Sequence, residues 1–459
     1  MFNPHIFREY DIRGKVFEDF DLNFVKDFGF AFGQYLLEKI NKKKAVVAVG
    51  RDCRLSSPKL YAALSKGILE AGVDIIYLGV VPTPVTYFSG YHLKVDATVS
   101  ITGSHNPAAY NGFKITIKNK SVYGEEIKVL KTRIESLRKK EKRKKGIVRK
   151  KDLGHVYIKS LLSKIRKNKK KKVLKIVIDS GNATGSKIAP ILLKKMGFKV
   201  IPLFCKMDGR FPNHHPDPGD EKNLRSLISE VKSKKADLGL AFDGDCDRIG
   251  VIDSKGRILS ADDLLILYAR EILKRKPRAT IIGEVKCSNR FFEDVRSLGG
   301  NAVMWKAGHS LIKAKMREIS AELAGEVSGH IFFKDRYYGF DDALYAAVRL
   351  LEILVESSSS LAEIFDALPK SIITPEIRVE TREEIKFKVV EKVRQNLSKK
   401  YKIIEIDGVR VETTEGWGLL RASNTQPVLN MRFEGKSQAV IDSLRTEFES
   451  EIKKALNEV

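Results

Sequence analysis

Short runs of apolar and β-branched residues alternate along the chain with longer stretches of helical periodicity. That alternation predicts an α/β architecture with mainly parallel strand pairing. One pattern recurs three times. A strand ends in a polar loop, a helix follows, and a second strand then ends in a denser polar loop. The first members are AVVAVGRDCRLSS (45–57), LKIVIDSGNATGS (174–186) and ATIIGEVKCSN (279–289). The second members are DATVSITGSHNP (96–107), DLGLAFDGDCDR (237–248) and AELAGEVSGH (321–330). Three related α/β domains are expected, each presenting loops at the C-terminal ends of its strands, where open α/β sheets bind ligands. Generic α/β repetition accounts for the strands, but not for the second loop being the richer one each time.

The pattern changes near the C-terminus. YKIIEIDGVRVETTEGWGLLRASNTQPVLNMRFEG (401–435) reads as several short strands separated by turns, followed by a helix over 437–456. It predicts an α+β domain with a meandering antiparallel sheet. The basic stretch 138–151 reads as the end of the first domain, and the strand GVID (250–253) with its turn SKGR precedes another boundary. The serine run 357–360 reads as a helix–helix turn, and Pro369 and Pro375 bracket the start of the last domain. The expected domains are 1–152, 153–253, 254–367 and 368–459.

The chain has 459 residues, which suits about three domains, give or take one. A chain of this length buries a large core without a disulfide or metal staple. Apolar residues at 43% and charged residues at 31% indicate a globular protein, not a disordered one. The four cysteines (Cys53, Cys205, Cys246, Cys287) form no C-x-x-C pair, which excludes a dense disulfide framework and a thiolate zinc site. A cytoplasmic protein is expected. The N-terminus is charged within ten residues, unlike a signal peptide, and no run of about 18 apolar residues suggests a membrane span. The net charge of +26 is concentrated in Arg138–Lys145 and Lys164–Lys172. Neither block interleaves aromatic residues for base stacking, and no nucleic-acid motif occurs. The blocks read as solvated faces or linkers, with no nucleic-acid partner and no membrane partner expected.

Four loops carry candidate chemistry. The first is Asp243-Gly244-Asp245-Cys246-Asp247-Arg248, directly after the apolar strand LGLAF. In an extended chain residues i, i+2 and i+4 face one way, so three carboxylates would converge. Like-charge repulsion forbids that without a cation, and all-oxygen ligation suits Mg²⁺ or Ca²⁺. An EF-hand is excluded, because its sixth and twelfth positions hold Arg248 and Ser254. An exposed acidic turn is disfavoured by the buried strand that feeds the loop. The second loop, Thr102-Gly103-Ser104-His105-Asn106-Pro107, holds either a nucleophilic serine or an Asn-Pro turn with an incidental one. It is not the G-x-S-x-G elbow, since position 106 is Asn. In Gly325-Glu326-Val327-Ser328-Gly329-His330, the Glu, Ser and His either bind a polyol, with His330 as acid or base, or form a structural turn. Arg421-Ala422-Ser423-Asn424-Thr425-Gln426-Pro427 offers either a phosphate cradle or a capped polar turn. As a set, the four loops suggest transfer of phosphate on a sugar.

With these motifs in this order over essentially the whole chain, the sequence resembles the α-D-phosphohexomutase superfamily, most closely its prokaryotic phosphomannomutase/phosphoglucomutase branch. The resemblance implies three related α/β domains, each a mixed sheet between helices. It adds a C-terminal α+β TATA-binding-protein-like domain, all around a central cleft. It implies interconversion of hexose 1-phosphate and hexose 6-phosphate, of mannose, glucose or both, through a phosphoserine enzyme. A hexose 1,6-bisphosphate would be the intermediate and activator. Ser104 would be the phosphorylated serine. Asp243, Asp245 and Asp247 would hold one Mg²⁺ per chain, with Ser104 supplying the fourth ligand through its phosphate. Arg248, Lys114, His105 and His330 would complete the catalytic group. Glu326 and Ser328 would bind sugar hydroxyls. Arg421, Ser423, Asn424 and Thr425 would hold the phosphate that is not being transferred. Tyr10 and Arg13 in EYDIRG, Lys286 and His309 match further substrate-binding positions. Small sugar phosphates are the implied partners, with the chain a monomer or homodimer.

Two residues depart from the family's pattern. Cys246 stands where Ala is usual, with its side chain expected to point away from the ion. Val327 stands where the dual-specificity branch more often has Met. A phosphoglucosamine mutase is the alternative enzyme, although that branch usually has Gln at position 327. A non-catalytic sugar-phosphate-binding protein is the other alternative, and the presence of Ser104 and all three aspartates argues against it.

Overall fold

The structure is a computed structural model that describes residues 2–137, 144–166, 172–423 and 427–459. The chain divides into two compact units, Met1–Tyr268 with Ser328–Asp366, and Ala269–Val327 with Ala367–Val459. No helix among the described residues is long and apolar enough to cross a membrane.

Two sheets organise the first unit. In the first, strand Val46–Arg51 lies between Asp74–Val80 and Ala97–Ile101, all parallel. Tyr110–Ile117 runs antiparallel beside Ala97–Ile101, and Ile12–Lys15 lies beyond it. Val148–Lys150 joins the far edge along Asp74–Val80, so the end of the first basic stretch is itself part of this sheet. In the second sheet Lys175–Asp179 lies between Lys199–Leu203 and Leu238–Phe242, again parallel. Ile249–Asp253 runs antiparallel beside Leu238–Phe242, and Ile258–Leu259 forms the edge. The second unit repeats the parallel part, with Thr280–Glu284 between Asn301–Trp305 and Leu323–Gly325.

The three-fold pattern of loops is thus a repeat of strand order. Each first-loop strand pairs in parallel with its second-loop strand, so their C-terminal ends and the loops after them lie side by side. The sequence supports this directly. Ala97–Ile101 and Leu238–Phe242 are buried at every position and carry no charged residue, as expected of strands covered on both faces. The long helix Leu22–Ile40 starts where the Asp21 carboxylate accepts the Phe24 N–H at 2.7 Å. Phe24, Phe28 and Phe32 recur every fourth residue and stack along its core face. The serine run 357–360 lies between helices Ala343–Glu356 and Leu361–Asp366, as expected.

The last ninety residues form the expected antiparallel sheet, in the order Ile372–Ile373, Val428–Gly435, Gly416–Ala422, Val409–Glu412, Lys402–Ile404. Helices Lys386–Leu397 and Gln438–Glu458 supply Val389, Val393, Ile441 and Phe448 to its core, against Leu420, Met431 and Phe433. Within the second unit, this sheet also grips the loop after Thr280–Glu284. The Arg410 guanidinium stacks 3.8 Å from the Trp417 ring centroid and donates to the Val285 and Cys287 carbonyls. Arg432 donates to the carbonyl between them, that of Lys286, at 2.6 Å. Three consecutive carbonyls are therefore fixed by two arginines, which sets the position of Lys286.

Candidate active site

Ser104 sits in the loop after strand Ala97–Ile101, in the left-handed region at φ 49°. Its N–H donates to Thr102 Oγ1 at 2.8 Å, and its hydroxyl donates to Asp243 Oδ2 at 3.0 Å. The serine loop and the aspartate loop, 139 residues apart in sequence, are therefore in direct contact. Their backbones touch as well. A Cβ at Gly244 would lie 2.3 Å from the Ser104 carbonyl oxygen, so only glycine permits this approach.

The three carboxylates converge, though not by the extended alternation the spacing suggests. The loop is a tight turn, with Cys246 in the left-handed region at φ 61°. Asp243 Oδ1 accepts the N–H groups of Asp247 (3.0 Å) and Arg248 (3.1 Å), folding the chain back on itself. An extended strand cannot close those bonds, and the turn brings the carboxylates closer than alternation would. One oxygen from each of Asp243, Asp245 and Asp247 lies within 4.8 Å of the others, and all three residues are buried. Cys246 is buried, with its Sγ against Gly185.

Lys114, on the neighbouring antiparallel strand, reaches the same place. Its ammonium lies 2.9 Å from Asp245 Oδ2 and also contacts Asp247 Oδ2. Burial opposes its charge, but Asp245 and Asp247 outweigh burial and raise its pKa well above the usual lysine value. Thr83 donates its hydroxyl to Asp245 Oδ2 at 2.5 Å. Burial, then Asp247 and Asp245, push the Asp243 carboxyl well above the usual range. One lysine ammonium meets three converging carboxyl groups. The Oδ1 atoms of Asp245 and Asp247 are buried and accept no hydrogen bond among the described residues. An all-oxygen set with two open acceptors beside a serine hydroxyl fits a hard divalent cation.

Arg248 and His330 meet beside this cluster. Arg248 Nε donates to His330 Nε2 at 2.9 Å. The opposite ring nitrogen, Nδ1, lies 3.2 Å from Asp341 Oδ2 and 3.7 Å from Asp247 Oδ1. The Ile249 N–H donates to the Gly329 carbonyl at 3.1 Å, which holds the His330 loop along the strand that follows the aspartate loop. His105 Nδ1 lies 3.3 Å from Ser104 Oγ. Burial, then the charges of Arg248 and Arg13, lower its pKa well below the usual value, so the imidazole is neutral. Arg13 donates to Asn106 Oδ1 at 3.2 Å and is paired with Asp11. Tyr10 lies three residues before it, half-buried, in the turn that leads into strand Ile12–Lys15.

The second unit holds the other expected residues. Glu326 accepts the Gly308 N–H at 2.6 Å. Lys286 pairs with Glu376 Oε2 at 3.0 Å. His309 opens helix His309–Glu318, with Nδ1 3.2 Å from Lys313 Nζ. Arg421 and the Ala307 N–H share Asp407 Oδ2, at 3.1 and 3.0 Å. The Ser423 carbonyl accepts from the buried Lys386 ammonium at 2.6 Å. Ser328 begins the segment that returns to the first unit. Asn424 and Thr425 lie outside the described residues.

Four profiles of one family match consecutive stretches of the chain. They are the phosphoglucomutase/phosphomannomutase α/β/α domains I, II and III at residues 4–143, 155–256 and 260–372, and the C-terminal domain at 376–451. The chain belongs to the phosphoglucomutase/phosphomannomutase family. It is 44% identical over 451 residues to the phosphomannomutase/phosphoglucomutase of Pseudomonas aeruginosa, covering 98% of this chain and 95% of that one. It is 41% identical over 452 residues to the phosphoglucomutase of Neisseria gonorrhoeae, covering 98% and 96%. The crystal structure of a phosphoglucomutase/phosphomannomutase family protein from Burkholderia thailandensis superposes with a TM-score of 0.92 at 40% identity, over 99% of this chain and 98% of that one.

Sequence reasoning overlooked several residues that hold this family member's site together. Asp52 and Arg54, in the first loop after Val46–Arg51, support the serine loop. Buried Arg54 donates to the carbonyls of Ser104 (2.9 Å), Asn106 and Pro107, and to Asp52 Oδ2 at 3.0 Å. Asp52 Oδ2 also accepts the Gly103 N–H at 3.0 Å. A signal was present, since two opposite charges directly follow an apolar strand. Thr83 and Asp341 carried no comparable signal, because only tertiary contact brings them to the aspartate loop.

Proposed function

We propose that this phosphoglucomutase/phosphomannomutase family member interconverts hexose 1-phosphates and hexose 6-phosphates of both glucose and mannose, with phospho-Ser104 as the carrier. The carrying observation is the 3.0 Å hydrogen bond from the Ser104 hydroxyl to Asp243, within a buried carboxylate cluster. One Mg²⁺ per chain, held by Asp243, Asp245, Asp247 and the Ser104 phosphate, would supply charge withdrawal from the phosphoryl oxygens.

The remaining chemistry belongs to the chain's own residues. Lys114 and Arg248 supply fixed positive charge where the phosphoryl group passes between oxygens, and preorganised charge in a dry site is worth several kcal/mol of barrier. A free sugar hydroxyl attacks phospho-Ser104, and its proton passes to His330 Nε2 as Arg248 turns from that nitrogen to the phosphoryl group. The bond from phosphorus to Ser104 Oγ breaks, and Oγ takes a proton from His105, which the phosphoserine keeps charged and which is left neutral. The products are a hexose 1,6-bisphosphate and the Ser104 hydroxyl. The bisphosphate then reverses its pose and its other phosphate returns to Ser104, whose proton passes back to His105, while the departing sugar oxygen takes the proton held on His330. Glu326 and Ser328 hold sugar hydroxyls 3 and 4, which take similar places in both poses. Arg421, Ser423, Asn424 and Thr425 hold the phosphate that is not being transferred. Tyr10, Arg13, Lys286 and His309 contact the substrate around these groups. The four cysteines, none of them disulfide-bonded, support a cytoplasmic setting.

The test is labelling with radioactive hexose 1,6-bisphosphate. Wild type should yield a labelled peptide containing Ser104, and Ser104→Ala should lose the label and nearly all mutase activity. Full turnover in Ser104→Ala would overturn the assignment.

A further inference from the structure

Glu284 ends strand Thr280–Glu284, one residue before the loop that carries Lys286. Its side chain is fully buried. Oε1 accepts the Val327 N–H at 2.8 Å, which ties it to the residue between Glu326 and Ser328 in the sugar loop. The same oxygen lies 3.6 Å from Lys286 Nζ. Oε2 is buried and accepts no hydrogen bond among the described residues. Burying a carboxylate without full hydrogen bonding costs several kcal/mol, which the Lys286 ammonium at 3.6 Å only partly offsets. A neutral Gln would satisfy the Val327 N–H equally well.

We infer that Glu284 is a positioning residue for the mutase reaction, fixing the sugar loop through Val327 and Lys286 through its charge. The inference rests on the functional reading above and adds a residue to it. Geometry supplies the mechanism. Glu326 is held from one side by the Gly308 N–H at 2.6 Å. The next peptide is held from the other side by Glu284. Two short bonds to consecutive residues leave the Glu326 carboxylate one direction, so its acceptor oxygens meet the sugar without a conformational search. Lys286 lies between two carboxylates, Glu284 and Glu376, and the pair keeps its ammonium charged and in place.

The ionised form of Glu284 does this work, so pH becomes a probe. The charged groups facing it are Lys286, Glu326 and Arg421, with Glu376 beyond Lys286. Burial raises its pKa to about 7, with the Lys286 charge opposing and the Glu326 charge adding to the rise. Below that value the carboxyl becomes neutral; it keeps an acceptor oxygen for the Val327 N–H but loses its attraction for Lys286.

The experiment compares wild type with Glu284→Gln and Glu284→Ala, measuring kcat and KM for glucose 1-phosphate from pH 6 to pH 8.5 with the protein at full length. Ionisation of the substrate phosphate affects all three proteins alike and cancels in the ratios. At pH 8 the wild-type kcat/KM should exceed that of Glu284→Gln about tenfold, mostly through KM. The ratio should fall toward one by pH 6, because wild type then carries the neutral acid that Gln mimics. Glu284→Ala should lose the Val327 bond too and stay below Glu284→Gln at every pH. A ratio that stays constant with pH, or equals one throughout, would overturn the inference and leave Glu284 a packing residue. If wild type itself turned over no hexose phosphate, the functional reading would have failed instead. If Glu284→Ala does not fold, the pH-dependent ratio for Glu284→Gln still decides the question.

Discussion

Arg54→Met removes a guanidinium that touches no substrate in the proposed mechanism yet supports the serine loop. Met has a similar length and no charge, so it fills the space without donating. Four hydrogen bonds go with the guanidinium, to Asp52 Oδ2 and to the carbonyls of Ser104, Asn106 and Pro107. Breaking a buried ion pair from one side costs about 3–5 kcal/mol, because the partner charge stays behind. Asp52 is not left bare. It keeps the N–H groups of Arg54 and Gly103, each at 3.0 Å, and the Ser57 hydroxyl. The loss therefore belongs at the low end, about 3 kcal/mol, which a domain stable by about 5–15 kcal/mol survives. Catalysis should suffer separately. Ser104 holds a left-handed backbone, and a loop freed of three donors relaxes away from it. A displacement of about 1 Å at the reacting atom costs about 10²-fold in rate. We expect kcat to fall about a hundredfold with KM changed by less than about threefold, since substrate contacts are intact. Urea denaturation followed by circular dichroism reads the first effect and steady-state kinetics the second. The double variant with Asp52→Asn should be less destabilised than the sum of the single variants by about 1–3 kcal/mol, because the stranded charge is gone. Strict additivity, or an Arg54→Met enzyme with an unchanged urea midpoint and wild-type kcat, would refute the argument.

Three further outcomes can be checked. Excess chelator should abolish turnover, and Asp245→Asn should weaken Mg²⁺ affinity and lower kcat; Zn²⁺ should restore activity poorly, since its tetrahedral preference does not suit an oxygen site that also holds phosphate. Glucose and mannose phosphates should be isomerised with kcat/KM values within about a hundredfold, and Glu326→Ala should depress both together, because in the proposed mechanism it holds hydroxyls common to both sugars; loss of only one activity would end the dual-specificity reading. Asp342 is buried beneath Tyr157 and Tyr337, whose hydroxyls donate to its Oδ2 at 2.7 and 2.5 Å, and burial raises its pKa to about 6 despite those bonds. The folded state thus favours the protonated acid, so this group's contribution is full below about pH 4 and is lost as pH rises to about 6, a change of about 2–3 kcal/mol. Asp342→Asn should flatten stability against pH in that window, and an unchanged slope measured by urea titration at pH 4 and pH 6.5 would exclude the assignment.

The sequence by itself determined the elements and the chemistry of the loops. Short runs without a charged residue, such as ATVSI and LGLAF, read as strands covered on both faces, and a polar loop directly after such a strand lies at a sheet edge open to ligand. Local composition therefore carried Ser104, Asp243, Asp245, Asp247 and the antiparallel C-terminal sheet. Even within a loop, local reasoning reached only so far. Alternation suggested that three carboxylates would converge, but it missed the turn that makes them do so, because the closing bonds from Asp247 and Arg248 to Asp243 depend on Cys246 adopting a left-handed backbone. Tertiary structure alone decided which loops meet. The 3.0 Å bond from Ser104 to Asp243, the Lys114 ammonium between Asp245 and Asp247, and Thr83 beneath Asp245 each join residues more than a hundred positions apart. The same holds for Asp52 and Glu284, whose loops looked the poorer member of each repeat. Their task is to hold backbone N–H groups of the neighbouring loop, and that task exists only once parallel pairing has set the two loops side by side. A hydrogen-bond acceptor for a distant peptide leaves no period or spacing in the sequence, because its partner is chosen by sheet order and not by position along the chain.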